Sequence, residues 1–405
     1  MSDPGKKKRH TGTPLGRRHI ARLLLLAVGI SLAAGLVFCV WSVMGPVDHG
    51  DSVLTQSEMP QNYVGAGKCA ECHADQARAH ATNGHSRTFA RMSETDIAER
   101  LDLKSWRDPE RDYEFKYEKR GTELYVRIPE NHGSLELPLE YAFGSGQHST
   151  GFVTLMADQQ NGKTVALEHR VLLTKSDGFT IAPGHSQAVS TKAAEDFGMI
   201  REPIDTRACF DCHTTVANYW QGEIHGLIGN VECEKCHGPG QSHVDVMEGV
   251  ADTESSEFRR RFETSADEIN LCGRCHRLPE FVEPGEITPT NTEIVRFQPV
   301  GLMQSRCFSM SNGQLRCTTC HAPHASATLT TTPEYNNTCR SCHTQPDSVE
   351  CPVSSPETCT SCHMPKVEVL PGMVLSDHWI RVPAAGADAE SDPAVPHHHA
   401  RDSQE

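Results

Sequence analysis

The sequence predicts mainly short helices and loops packed around covalently attached prosthetic groups, with an inserted small antiparallel β module and an N-terminal transmembrane helix. Three observations predict this fold class. Seven copies of one cysteine motif run along the chain, an apolar run follows a basic N-terminus, and β-rich runs separate the first two motifs. Hydrophobic residues make up only 37% of the 405 residues and aromatic residues 6%, so ordinary side chains are too few to fill the interior.

The N-terminal segment is predicted to anchor the chain. Residues 1–22 form a basic cytoplasmic tail, and residues 23–45 form an apolar run about as long as the roughly 20 residues that span a bilayer. The apolar core of a cleavable signal is usually shorter, although cleavage after this segment is an alternative. Because the positive flank stays inside, we expect a single-pass protein of the inner (cytoplasmic) membrane whose body faces the periplasm or outer side.

The charge of the body restricts its partners. The net charge is −15, and because residues 1–45 carry +6, residues 46–405 carry −21. Such an acidic body excludes nucleic acid as a partner and favours cationic or dipolar ones.

Fourteen of the 17 cysteines belong to C-x-x-C-H motifs, of which chance would supply on the order of 0.04 in a chain of this composition. In an oxidising compartment free thiols do not persist, so these sulfurs must be bonded to something. We number the motifs 1 to 7 in chain order: Cys69-Cys72-His73, Cys209-Cys212-His213, Cys233-Cys236-His237, Cys272-Cys275-His276, Cys317-Cys320-His321, Cys339-Cys342-His343 and Cys359-Cys362-His363.

This spacing is what covalent haem attachment requires. Two thiols add to the two vinyl groups of one haem, and the histidine after the second cysteine becomes the proximal ligand of the iron. The alternatives are zinc knuckles and a disulfide framework, but neither explains why histidine follows every cysteine pair. The sequence therefore predicts seven covalently bound haem c groups.

The second axial ligand decides whether each iron carries electrons or binds substrate. Histidine is the expected ligand because many histidines remain after the proximal ones are subtracted, with His80 and His169 in reserve and methionine less favoured. The predicted distal ligands are His85, His148, His185, His225, His243, His324 and His378.

The motifs divide the rest of the chain. Residues 46–62 are a polar linker, residues 63–90 the first haem-binding segment, residues 206–382 a six-haem cytochrome c domain and residues 383–405 a disordered tail. Residues 91–205 contain no motif and are predicted to form the inserted β module. Its β-rich runs are 113–117, 123–128, 134–141, 152–156 and 164–174.

The residues around three motifs resemble those of a known group of proteins. The chain reads V-E-C-E-K-C-H-G-P-G-Q-S-H-V at 231–244, R-C-T-T-C-H-A-P-H at 316–324, and T-S-C-H-M-P-K with D-H-W-I at 360–366 and 377–380. It resembles the multihaem cytochromes c that include hydroxylamine oxidoreductase, octahaem tetrathionate reductase and small tetrahaem electron carriers. The resemblance implies that His243 is a distal ligand to a neighbouring haem, and likewise His225, His324 and His378.

The functional prediction is an electron carrier rather than an enzyme. The chain has seven motifs where the octahaem enzymes have eight, and it has no C-x-x-C-K. The expected partners are a membrane quinol-oxidising module or a soluble redox carrier, and a terminal reductase. One alternative is an oxidoreductase that acts on a small nitrogen or sulfur compound at one open haem iron. Another is a docking subunit that holds its partner through the β module.

Overall fold

The computed structural model describes residues 60–128, 136–157, 163–185, 187, 193–220, 223–252, 262–343, 351, 359–370 and 373–382. The predicted anchor at 23–45 and the predicted tail at 383–405 lie outside these residues. Within the described ranges, none of the helices has the length and apolar character needed to cross a membrane.

The predicted β module forms two antiparallel sheets. The first strand begins at Phe89, two residues before the predicted boundary at residue 91. The strands are β1 (Phe89–Arg91), β2 (Ser105–Arg107), β3 (Glu114–Arg120), β4 (Glu123–Arg127), β5 (Glu136–Leu139), β6 (Tyr141–Phe143), β7 (Ser149–Ala157), β8 (Thr164–His169), β9 (Val171–Thr174), β10 (Phe179–Ile181) and β11 (Gly198–Arg201). Each of the five predicted β-rich runs coincides with one or two of these strands.

The strand order explains how the module packs. Four strands pair in the order β2-β3-β4-β5, and seven form a sheet with the path β1-β6-β7-β8-β11, from which β9 and β10 branch at β7. Successive side chains of β7 alternate between the two faces of the larger sheet, as strand geometry requires. Phe152 faces the four-stranded sheet, whereas Val153 belongs to a second cluster on the opposite face.

The second cluster fixes the position of motif 2. Phe210, in the helix that carries this motif, is fully buried against β1, β6 and β7. The same helix accepts a hydrogen bond from the backbone N–H of Ala166 through Thr206 Oγ1, at 3.0 Å. The sheet therefore holds one haem motif directly.

Two hairpins of the haem-motif region were not predicted from the sequence. They are β12 (Thr214–Trp220) with β13 (Glu223–Gly229), and β14 (Lys366–Leu370) with β15 (Met373–Ser376). Both hairpins have irregular registers, so no clear two-residue alternation marks their strands in the sequence.

The remaining described elements are short helices. The α-helices are α1 (Gly65–Cys72), α2 (Ala74–His80), α3 (Ile97–Leu101), α4 (Ala193–Phe197), α5 (Pro203–His213), α6 (Cys233–His237), α7 (Gln241–Met247), α8 (Ser265–His276), α9 (Gln298–Gln304), α10 (Arg306–Met310), α11 (Cys317–Cys320), α12 (Thr332–His343) and α13 (Cys359–His363). Single 3₁₀ turns span Gly84–Arg87, Met92–Glu94, Pro279–Phe281, Pro284–Glu286, Thr292–Arg296 and Ala327–Leu329.

Hydrophobic burial is distributed unevenly between the two parts of the molecule. The two large apolar clusters lie in and against the β module. In the described part of 232–382 the buried hydrophobic side chains are Ile269, Val282, Ile294, Val295, Val300 and Leu302. A region of this size is normally stabilised by a far larger apolar interior. The part of the chain that carries motifs 3 to 7 therefore depends on groups other than hydrocarbon side chains.

The β module also contains a buried charge cluster. The fully buried guanidinium of Arg170 contacts Asp108, which is equally buried, and donates to Glu110 Oε2 at 2.6 Å. Asp108 Oδ1 also accepts the backbone N–H of Glu110 at 2.8 Å. Removing one partner of a buried ion pair leaves the other charge uncompensated and destabilises the fold.

We expect Asp108→Asn to destabilise the β module by roughly 3 kcal/mol, because it removes the fully buried carboxylate that contacts the guanidinium of Arg170. The matched control is Glu118→Gln, which removes an exposed pair with Arg120 and costs at most about 1 kcal/mol. Hydrogen exchange of β3 and β8 measures both changes. Equal exchange in the two variants would contradict a structural role for the buried pair.

Candidate haem sites

Each motif is placed on a short helix, which gives its cysteines a common direction. Residues three apart lie on the same helical face, so both sulfurs of C-x-x-C point the same way. Five motifs end their helices: α5 at His213, α6 at His237, α8 at His276, α12 at His343 and α13 at His363. α1 and α11 end one residue earlier, at the second cysteine.

Four proximal histidines each lie opposite one of the predicted distal histidines. The ring centroids of each pair are separated by nearly the same distance, and the partner comes from another segment of the chain. The pairs are His73 with His243 at 6.3 Å, His276 with His85 at 6.1 Å, His237 with His324 at 6.1 Å, and His321 with His378 at 6.1 Å.

This separation fits one metal ion between two imidazoles. Two metal–nitrogen bonds of about 2 Å, added to the roughly 1 Å from each ring centre to its nitrogen, place the centroids about 6 Å apart. Rings in direct stacking contact would lie closer, at the lower end of the 4.5–7 Å range for aromatic pairs. The donor set also fits, because each pair includes the histidine of a C-x-x-C-H motif.

Hydrogen bonds select the tautomer that can bind iron. His213 Nδ1 lies 3.0 Å from Thr88 O, His363 Nδ1 lies 2.8 Å from Arg381 O, and His378 Nδ1 lies 2.9 Å from Ser376 O. A carbonyl oxygen only accepts, so each Nδ1 carries the hydrogen. Nε2 is then left with a free lone pair, as a metal ligand requires.

The electrostatic environment keeps the distal rings neutral. Burial, with smaller contributions from His276 and His80, lowers the pKa of His85 to about 4. Burial likewise lowers the pKa of His378 to about 4. A protonated imidazole cannot bind a metal, so this shift favours the ligating form at neutral pH.

Three predicted distal ligands are not brought to a proximal histidine by the described residues. His148 is exposed at the start of β7, and the side chain of His225, in β13, lies outside the description. His185 is buried in the β module, where its Nε2 has no hydrogen-bond partner among the described groups and lies 3.9 Å from Glu168 Oε2. Their assignment as ligands stays a prediction.

The reserve histidines have other contacts. His169 Nε2 lies 3.0 Å from the hydroxyl of Tyr117, and its Nδ1 lies 2.9 Å from Phe197 O, so both ring nitrogens are engaged within the β module. His80 Nδ1 lies 3.4 Å from Glu232 Oε2.

The motifs lie beside one another in a definite order. In three places a thiol of one motif lies beside a thiol of another: Cys69 beside Cys233, Cys212 beside Cys275, and Cys272 beside Cys317. The corresponding helices also pack, α1 on α6, α5 on α8 and α8 on α11.

Three further thiol pairs from different motifs lie near one another without direct contact: Cys236 and Cys272, Cys320 and Cys339, and Cys339 and Cys359. α12 packs against both α11 and α13. The motifs therefore follow one another as 1, 3, 4, 5, 6 and 7, with motif 2 beside motif 4.

Buried polar side chains hold neighbouring motifs together. Glu234, inside motif 3, accepts the backbone N–H groups of Val64 and Gly65 at 2.9 Å each, where α1 begins, and that of Gly240 at 2.7 Å. A carboxylate at a helix N-terminus satisfies donors that have no partner within the helix.

The same arrangement recurs twice. Glu268, in the helix of motif 4, accepts the backbone N–H of Thr318 in motif 5 at 2.7 Å. Asn336, in the helix of motif 6, accepts the backbone N–H of Thr360 in motif 7 at 3.2 Å. Sequence reasoning did not identify these three capping residues, because nothing in a single motif shows which other motif lies against it.

We expect Glu234→Ala to loosen the motif 1 segment by at least about 2 kcal/mol, because three backbone donors lose their acceptor. Hydrogen exchange of residues 63–72 measures the change. The control is Glu71→Ala, whose exposed carboxylate contacts Lys68 in the same helix. If both variants exchange like the native chain, the cap does not hold the two motifs together.

Two protein-family models match segments of the chain that contain haem motifs. The model of the cytochrome c554 and c-prime family matches residues 179–238, and the doubled CXXCH motif model matches residues 310–348. The solved structure of the outer cell wall cytochrome OcwA is 13% identical, with a TM-score of 0.46 over 79% of this chain and 80% of that one. No curated protein matches the chain. The motifs and the two family models together indicate haem c bound through the cysteine pairs.

Proposed function

We propose that this chain, which is a multihaem c-type cytochrome, transfers electrons along seven covalently bound haem c groups between respiratory partners. One observation carries the proposal: four proximal histidines each face a second histidine at 6.1–6.3 Å. Iron held by two histidines has no open position for substrate, so it exchanges electrons without binding one.

We number the haems by their motifs. The contacts between motifs support an electron path through haems 1, 3, 4, 5, 6 and 7, with haem 2 joined at haem 4. Where thiols of two motifs lie side by side, as in motifs 1 and 3, 2 and 4, and 4 and 5, the edges of the attached porphyrins would meet. The path then has three ends, at haems 1, 2 and 7.

The protein side chains set the conditions for this chemistry. A bound haem would supply one-electron chemistry, with its iron either ferric or ferrous. Backbone carbonyls hold the imidazole hydrogens on Nδ1 of His213, His363 and His378, which directs Nε2 to the metal. Two imidazole ligands and nearby carboxylates such as Glu234 and Glu268 favour low potentials compared with histidine and methionine ligation.

The setting of the path is part of the proposal. The basic tail and the apolar segment at 23–45 support a single-pass protein of the cytoplasmic membrane, with its haems on the periplasmic or outer side. There it would accept electrons from a quinol-oxidising membrane module or a soluble redox carrier and deliver them to a terminal reductase.

We expect the haem-loaded full-length protein to show predominantly low-spin ferric signals in low-temperature electron paramagnetic resonance. His378→Ala should convert one of these centres to high spin, because His321 loses its partner. His169→Gln is the matched control, since this histidine is engaged with Tyr117 and Phe197. Predominantly high-spin iron in the native protein would contradict electron transfer as the main function.

A second candidate function is favoured by motif 2. Among the described residues, the ring of His213 contacts the ring of Phe143 at 5.2 Å and belongs to none of the four histidine pairs described above. An iron with one protein ligand could bind a small nitrogen or sulfur compound. A spectral change on adding nitrite or hydroxylamine, lost with His213→Ala, would support substrate chemistry. An unchanged spectrum would leave electron transfer as the single function.

A further inference from the structure

We propose that Asn83, which belongs to no haem motif, positions distal ligands of two different haems. These are His85, which faces the proximal ligand of haem 4, and His324, which faces that of haem 3. The inference rests on the proposed ligation by histidine pairs and adds a positioning residue at the contact between two successive haems.

The geometry uses both ends of the amide. Asn83 Oδ1 accepts the backbone N–H of His85 at 3.1 Å. Asn83 Nδ2 donates to Pro323 O and to Ala325 O, both at 2.9 Å. The two carbonyls belong to the residues on either side of His324. Because the amide nitrogen has two acceptors and the amide oxygen has a donor, these partners determine the orientation of the amide.

Each ligand depends on Asn83 in a different way. His85 lies in the single 3₁₀ turn Gly84–Arg87, which Asn83 caps. The carbonyl of His85 also accepts a hydrogen bond from the backbone N–H of Val231 at 3.0 Å. His324 lies in an exposed turn, whose own backbone contributes a bond from Ala325 N to Ala322 O at 3.1 Å. The bonds from Asn83 therefore tie that turn to the first haem-binding segment.

Burial makes these bonds important. Asn83 is only 9% exposed, so water does not readily replace the hydrogen-bond partners of its side chain. Asn83 N also donates to His80 O at 2.8 Å, which fixes the backbone from which the amide projects. The side chain is thus a rigid spacer between the ligand of haem 3 and the ligand of haem 4.

Two uncharged variants separate the two functions of the amide. Asn83→Ala removes all three bonds. Asn83→Ser keeps a hydroxyl at the helix N-cap that can accept the N–H of His85, but it cannot reach both carbonyls beside His324. Reference variants His324→Met and His85→Met identify the electron paramagnetic resonance signals of haems 3 and 4 by difference spectra.

We expect Asn83→Ala to shift the signals of both haems and Asn83→Ser to shift only that of haem 3. The signals of the other haems should not move. The control is Thr82→Ala, since the exposed hydroxyl of Thr82 bonds only to Ala79 O within the preceding helix. A loss of general stability would disturb the signals without this selectivity.

The outcomes discriminate. Unshifted signals of haems 3 and 4 in Asn83→Ala would overturn the inference, as would an Asn83→Ser variant that shifts haem 4 as strongly as haem 3. If Asn83→Ala gives no haem-loaded protein, Asn83→Ser decides alone. If His324→Met and His85→Met remove no low-spin signal, the proposed ligation itself fails, whatever Asn83 does.

Discussion

The pairing of two histidines from distant segments is the constraint on which the haem-motif region depends. His73 is paired with His243, and His321 with His378, so each pair joins parts of the chain that secondary structure does not connect. A metal held between such residues contributes its binding free energy to folding, because the unfolded chain has no preformed site. The small number of buried apolar side chains in 232–382 makes this contribution essential.

The β module is stabilised by its own apolar interior and by a buried charge pair. Two sheets bury a large apolar cluster between them, and Arg170 is neutralised by carboxylates within the same module. The β module therefore has the apolar interior that the described part of 232–382 lacks. The face of the larger sheet that points away from the four-stranded sheet packs against α5 through Phe210. The helix of motif 2 is therefore held by the β module.

The sequence predicted the parts of the fold that have a local signal. The motifs determine the sulfurs and the proximal ligands by spacing alone, and alternation in the 123–128 run predicted β4. Of the seven predicted distal ligands, His85, His243, His324 and His378 lie opposite proximal histidines. Which proximal partner each one faces could not be predicted, because the pairing depends on how the segments pack.

The capping residues show the same limit more clearly. Glu234 and Glu268 look like ordinary charged residues of short helices, and Asn83 like a turn residue. Each is buried and bonded to a segment far away in the chain. Their roles arise from tertiary contacts between motifs, which no spacing within a single motif encodes.

Of the four ligand pairs, the pair of His73 and His243 joins motifs that are direct neighbours in the order given above. The other three pairs join motifs two steps apart in that order: 1 with 4, 3 with 5, and 5 with 7. His243, from the segment after motif 3, faces His73 of motif 1, and His324, from the segment after motif 5, faces His237 of motif 3. Motifs 1 and 3 also touch through their cysteines. In the proposed path, a segment that attaches one haem thus also supplies a ligand to another. If the four histidine pairs hold haem iron as proposed, a displacement of one haem would also change the ligation of a second.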